Sequence, residues 1–159
     1  MKNLIKNRAF TLLELLIVIA IISLILAVVM PSLYTFRDQQ ILKNTAEDIV
    51  TLLNQARSQT LASQNSHYYS VHIESGRVIL FTDGTFSEPN SSNTEIIFDS
   101  KVSLSATGGI NLNGGVSDVN FTRLTGDTVD NGTIVVQLNS DHSKTKTITI
   151  RKTGIVSSN

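Results

Sequence analysis

The chain has 159 residues with 13 basic and 13 acidic side chains, so no formal net charge and no overall basic field for bulk binding to nucleic acid. It contains no cysteine, which excludes disulfides, thiolate metal sites, cysteine nucleophiles and a lipoprotein anchor together.

The charge is uneven at the amino terminus. Lys2, Lys6 and Arg8 come before any acidic residue, and residues 15–30 are apolar at every position but Ser23. A short basic segment before a hydrophobic span predicts that the amino terminus stays cytoplasmic and the remainder is exported. Residues 10–30 would make a helix of about 30 Å, one hydrocarbon thickness. Glu14 does not fit that setting: a charged side chain at membrane depth costs about 2.5–3.5 kcal/mol. An ordinary secretory signal has a shorter apolar core and a small-residue cleavage site after it, whereas this run ends in Val28-Val29-Met30-Pro31-Ser32. An uncleaved anchor accounts for the length and leaves Glu14 without a partner.

Pro31 interrupts the pattern without ending it. Leu42, Ala46, Ile49, Leu53, Ala56 and Thr60 follow a heptad-like spacing, widened by Ile41, Val50, Leu52 and Leu61. Opposite lie Arg37, Asp38, Lys43, Asn44, Glu47, Asp48, Asn54 and Arg57. The spacing predicts one long helix over residues 10–63, with residues 10–31 spanning a membrane and the rest amphipathic. At about 80 Å it is too long for one small domain to cover, so its apolar half needs lipid or neighbouring copies.

After Ser63 the period changes to two. Tyr69, Val71 and Ile73 alternate with Ser70 and His72, and Glu74-Ser75-Gly76 turns into Arg77-Val78-Ile79-Leu80-Phe81, which predicts a β-hairpin. Further strands are expected at residues 95–98, 102–105, 110–113, 119–124, 132–139 and 145–151, separated by Gly-, Asn- and Asp-rich turns. Residues 87–94 read as an exposed loop. The fold class is therefore α+β: a long N-terminal helix packed on a C-terminal antiparallel β-domain of residues 64–159.

Lys6-Asn7-Arg8-Ala9 followed by Phe10-Thr11-Leu12-Leu13-Glu14 resembles the class III leader of type IV pilins and pseudopilins. The resemblance implies a leader of residues 1–9, removed by prepilin peptidase between Ala9 and Phe10, and N-methylation of the new terminus, Phe10. Ala9 departs from the glycine common in the family at that position. Glu14 then occupies the family's acidic position, which implies pairing with the amino-terminal amine of a neighbouring subunit in filament assembly. Phe10 and Glu14 are expected at i and i+4 on one helix face. Pro31 falls where many members carry a helix-bending proline. Beyond the leader, Gln55-Ala56-Arg57-Ser58-Gln59-Thr60-Leu61-Ala62, the Asp83-Gly84 turn and the last strand pair resemble the H-type minor pseudopilins of type II secretion and the related FimT-type minor pilins (the GspH/FimT-type domain).

That resemblance implies a structural subunit, a minor pilin or pseudopilin of a type IV pilus or type II secretion pseudopilus, active in filament initiation, pilus biogenesis or protein secretion. Implied partners are prepilin peptidase, other pilin or pseudopilin subunits, the inner-membrane assembly platform and, before assembly, membrane lipid. The implied location is the bacterial inner membrane, single-pass, with the β-domain extracytoplasmic, and the filament after assembly. The alternative is a competence-type minor pilin binding DNA for uptake. Related DNA-binding members use a Gly-Arg-x-Arg motif, and here the tract reads Gly154-Ile155-Val156-Ser157. Lys144, Lys146, Arg151 and Lys152 offer only weak, salt-sensitive phosphate contacts. A solvated edge strand guarded by lysine explains them better.

Other chemistry is not supported. His67, His72 and His142 lack metal-ligand spacing, Asp127, Asp130 and Asp141 fit no calcium loop, and the glycine pairs at residues 108–109 and 114–115 lack a phosphate-cradling frame. No catalytic set, metal site or cofactor is expected.

Overall fold

Thr11 starts the helix. Its hydroxyl accepts the backbone N–H of Glu14 at 3.2 Å, the N-cap bond that satisfies one of the donors orphaned at a helix start. A single helix, α1, then runs over Leu12–Leu61 and continues through position 31. The computed structural model describes residues 10–63, 67–106 and 108–159. The chain divides into two compact units, one ending at Arg37 and the other Asp38–Asn159.

In the first unit the apolar side chains of α1 stand exposed. In the second, the helix is amphipathic as its spacing requires. Leu42, Ala46, Ile49, Leu53, Ala56 and Thr60 are all buried, with Leu52 beside them. Each fully buried leucine or isoleucine contributes about 1.5–3 kcal/mol relative to exposure, so this seam fixes the helix to the β-domain. Two residues expected on the solvent face are drawn inward. Asp38 pairs with Lys101 Nζ at 2.7 Å, and Arg57 donates to the backbone carbonyls of Gly126 and Thr153.

The helix ends in a tight turn. The N–H of Ser63, at φ 46°, bonds to the carbonyl of Thr60 at 3.0 Å. The buried Thr60 hydroxyl ties that end to the first strand, accepting from Tyr69 N–H at 2.8 Å.

Among the described residues nine strands follow: β1 Tyr69–Glu74, β2 Arg77–Thr82, β3 Thr94–Ile97, β4 Val102–Leu104, β5 Ile110–Leu112, β6 Asp118–Asn120, β7 Gly132–Leu138, β8 Thr145–Ile150 and β9 Val156–Ser158. They form two antiparallel sheets. One has the order β3-β2-β1-β6, and the other has β4-β7-β8-β9 with β5 also on β7. The expected hairpin is present, with Glu74 opposite Arg77 across Ser75-Gly76. Period-two alternation sends Val71, Ile73, Val78, Leu80 and Val119 from the first sheet, and Ile134, Val136, Leu138, Ile148 and Ile150 from the second, into one core with the helix seam.

Two strand expectations change. The run at 119–124 closes at Asn120 because residues 122–126 curl back, Gly126 N–H bonding to Thr122 O at 2.9 Å. The carboxy-terminal tract also forms a strand of its own. Gly154 N–H bonds to Arg151 O at 2.8 Å, the chain reverses, and β9 pairs with β8, Val156 opposite Ile150.

The outer face of the first sheet is apolar as well. Ile79 and Phe81 are buried there. The segment between β2 and β3 folds over them, Phe86 meeting Phe81 edge-on and stacking on His72 with ring centres 3.9 Å apart. Residues 87–94 are exposed as expected, apart from half-buried Asn93.

Candidate functional site

The apolar end of α1 is long and apolar enough to cross a membrane. Its most hydrophobic stretch has mean hydropathy 3.2, and none of that stretch is buried. A face so exposed in a single chain needs lipid or other subunits around it. Glu14 lies in the first helical turn, where the positive end of the helix dipole favours an acid. Among the described residues it makes no ion pair.

Phe10 departs from its expected place. The helix begins at Leu12 because Thr11 takes the capping position, so Phe10 precedes the cap and does not share a helical face with Glu14. Ala9, Lys2, Lys6 and Arg8 lie outside the described residues. Pro31 sits within α1.

The four carboxy-terminal cations do not form one cluster. Lys144 and Lys146 stand at the start of β8, lining a shallow pocket with Gln39 and Leu42. Arg151 and Lys152 lie beyond its far end. Lys146 and Arg151 are five residue steps apart along β8 and its exit, about 17 Å. Two cation pairs so far apart make no continuous track for a phosphate backbone.

Sequence reasoning missed two arginines that organise the β-domain. Arg57 donates from Nε to Gly126 O at 3.0 Å and from its terminal amino group to Thr153 O at 3.2 Å, so one guanidinium joins the helix end to two distant turns. Gly154 fits beside it, at φ 71°, where an added Cβ would lie 1.9 Å from Gly126 O. The glycine of the tract compared with the DNA-binding motif is therefore explained by packing. Arg77 is the second. It bonds Glu74 at 2.7 Å, both carboxylate oxygens of Glu88 at 2.9 and 2.8 Å, and Glu95 at 3.0 Å. These bonds, Glu88's foremost, raise the Arg77 pKa further. The Arg77 hydrogen bond in turn holds the Glu74 carboxyl below its usual range, against an opposing contribution from burial. An open depression lined by Arg77, Ile79, Glu88, Pro89, Asn90, Asn93 and Glu95 lies here, its cation already engaged with three carboxylates.

The other polar candidates have local roles. His67 contacts Asp83 at 2.9 Å, and His72 contacts Asp118 and, at 3.4 Å, Glu74. The buried Asp130 accepts from Asn120 N–H at 2.9 Å. Asp141 accepts from the Ser143 hydroxyl and N–H, which lower its pKa.

Residues 4–30 match the prokaryotic N-terminal methylation motif, covering the segment that carries Ala9, Phe10 and Glu14. Residues 45–154, more than half of the chain, match the type II transport protein GspH, covering the last part of α1 and nearly all of the β-domain. No curated protein and no solved structure matches the chain. With a methylation motif on an apolar helix and a two-sheet domain closed by that same helix, the chain belongs to the GspH family of pilin-like proteins.

Proposed function

We propose that this protein is a structural subunit, a minor pilin or pseudopilin, that waits in the inner membrane and is then packed into a filament of a type IV pilus or type II secretion pseudopilus. The observation that carries the reading is the wholly exposed apolar helix with a single carboxylate in its first turn, inside a methylation motif. Lipid covers such a helix before assembly and neighbouring helices cover it afterwards. In this reading prepilin peptidase cuts between Ala9 and Phe10 and methylates Phe10, and Lys2, Lys6 and Arg8 hold the leader at the cytoplasmic face. Glu14 meets the new amine of an adjacent subunit, and Pro31 is the place where α1 bends. The organisation is a leader of residues 1–9, a helix of residues 10–63 and an extracytoplasmic domain of residues 64–159. The work is mechanical, in filament initiation and assembly with the inner-membrane platform and other subunits.

DNA uptake is the weaker reading, because Lys144 and Lys146 are separated from Arg151 and Lys152 by the length of β8. Mass spectrometry of the protein isolated from its native membrane tests the proposal. The expected mature terminus is N-methyl-Phe10; a chain starting elsewhere, or an unmodified Phe10, overturns it.

A further inference from the structure

We propose that Lys144 and Lys146 bind the phosphate of an anionic lipid headgroup and so seat one end of the β-domain on the membrane surface while the subunit waits there. The inference rests on the reading of α1 as a membrane helix and adds a lipid site on the folded domain.

The two lysines stand in the core-facing row of their strand. Period-two alternation puts Lys144 and Lys146 in line with Ile148 and Ile150, and both isoleucines are buried in the core shared with the helix seam. The ladder already holds at Lys144, whose carbonyl accepts from Leu138 N–H at 3.1 Å. The row is therefore continuous, and the two cations stand about 7 Å apart along it. They close the row beside Gln39 and Leu42, in a pocket of about 220 Å³ completed by Ser143 and Thr145. β9 follows β8 back only to Thr147, which exchanges both backbone bonds with Asn159, so this end of the strand keeps an open outer edge. Among the described residues neither lysine forms an ion pair. Two acids of this end are engaged elsewhere: Asp38 by Lys101 at 2.7 Å, and Asp141 by the hydroxyl and N–H of Ser143. A core row that ends in two such cations is suited to an anion.

The chain itself brings this end of the domain to the membrane. Gln39 and Leu42 are among the first residues of α1 in the second unit. In the first unit the apolar run closes with exposed Leu33, Tyr34 and Phe36, followed by exposed Arg37. Tyrosine, with an apolar body and a polar tip, gathers at headgroup level. Gln39 is three residues beyond Phe36, within about 11 Å of it at the fullest extension of the chain. The headgroup layer is about 5–7 Å deep, and a lysine carries its ammonium on a four-carbon stem that reaches toward such a layer. The attraction fades within a Debye length, about 8 Å at physiological salt. It therefore selects this pair over Arg151 and Lys152 at the far end of β8. That far end lies by Gly154 and Arg57, and Arg57 is about 27 Å further along α1 than Gln39. Two cations make a point contact, which fits one headgroup better than the repeating phosphates of a nucleic acid.

The full-length chain, placed in nanodiscs of phosphatidylglycerol and phosphatidylcholine in equal amounts and released for native mass spectrometry, should keep phosphatidylglycerol in excess. Lys144→Gln with Lys146→Gln should lower that excess at least about fivefold. Lys144→Arg with Lys146→Arg should retain it, and Arg151→Gln with Lys152→Gln should leave it unchanged. An excess that survives the first pair, or is lost in the arginine pair as well, would overturn the proposal. So would displacement of the lipid by inorganic phosphate or by duplex DNA at matched ionic strength, which would assign the lysines to a free anion or to nucleic acid. The chain has no cysteine, so single thiols can report position. A nitroxide on His142→Cys should be relaxed by nickel-chelating lipid headgroups, and one on Thr153→Cys should not; the reverse pattern would also overturn it. Ile25→Cys, on the apolar helix, separates the two readings. If its nitroxide is shielded from a soluble nickel chelate while His142→Cys is remote from the headgroups, the lipid site fails and the membrane reading survives. If Ile25→Cys is open to the chelate, both fail.

Discussion

Replacing Gly154 with alanine tests whether Arg57 and the two turns it bridges form a closed structural unit. Gly154 holds φ 71°, and an added Cβ would lie 1.9 Å from the carbonyl oxygen of Gly126 and 2.7 Å from Arg57 Nε. The carbonyl belongs to the backbone and cannot rotate away as a side chain would. Left-handed backbone costs a non-glycine residue about 1–2 kcal/mol. Displacing Gly126 also breaks its 3.0 Å bond from Arg57, and hydrogen bonds to charged groups contribute about 1.5–3 kcal/mol. Arg57 is half-buried, so the lower end applies. The expected loss is about 3 kcal/mol, equivalent to roughly 10 °C in melting temperature for a domain of this size. Calorimetry of the full chain in detergent micelles measures it. Gly76→Ala is the control, because nothing lies within 4 Å of its Cβ position, and it should change stability by less than about 1 kcal/mol. A Gly154→Ala chain melting within about 3 °C of the parent would refute the reasoning.

Leu53→Ala, at a fully buried helix position, should destabilise the β-domain by about 3–5 kcal/mol in urea denaturation, whereas Leu16→Ala on the exposed apolar segment should leave that transition unmoved. Arg77→Gln should alter the response to acid. Because the Glu74 pKa is depressed below 4.5 in the folded chain, its pairing stabilises above that value and is lost as pH falls through the folded pKa. The parent should therefore weaken as the pH is taken down below 4.5. The variant, whose three carboxylates repel one another, should weaken less or gain, so parallel melting-temperature profiles would exclude the clamp. Thr11→Val should loosen the helix start by about 1 kcal/mol and still allow filament assembly, scored by copy-to-copy cross-linking, whereas Glu14→Gln should abolish assembly while leaving membrane insertion intact.

Much of the fold was legible because it is local. The seam from Leu42 to Thr60 repeats at helical spacing, and every member is buried. The β1–β2 hairpin follows from alternation meeting Ser75-Gly76. The features that stayed hidden depend on distant partners. The acceptors of Arg57 lie 69 and 96 residues away, so no window around Ala56 reveals them. The four apolar residues Val78-Ile79-Leu80-Phe81 announce a strand buried on both faces, yet only the fold shows that the segment carrying Phe86 covers the second one. The four cations near the carboxy terminus are close in sequence, and the strand's rise places them apart.

Glu14 shows how far energetics carries the assembly reading. Its insertion cost of about 2.5–3.5 kcal/mol refers to the middle of a membrane helix. Its place in the first turn of α1 returns about 0.3–1 kcal/mol through the helix dipole. The Thr11 cap stabilises the backbone and does nothing for the carboxylate's charge. About 2 kcal/mol remains, the contribution of one charge-assisted hydrogen bond. On the proposed reading the amine released at Phe10 of a neighbouring subunit supplies that bond, and no such amine exists before the leader is cut. Phe10 of the same chain stands before the cap, off the helical face of Glu14, so the geometry favours a donor from another copy. A carboxylate balanced in this way makes cleavage a precondition for packing. Glu14→Gln keeps the shape of the side chain and removes only that requirement, which is why it should separate insertion from assembly where Thr11→Val does not.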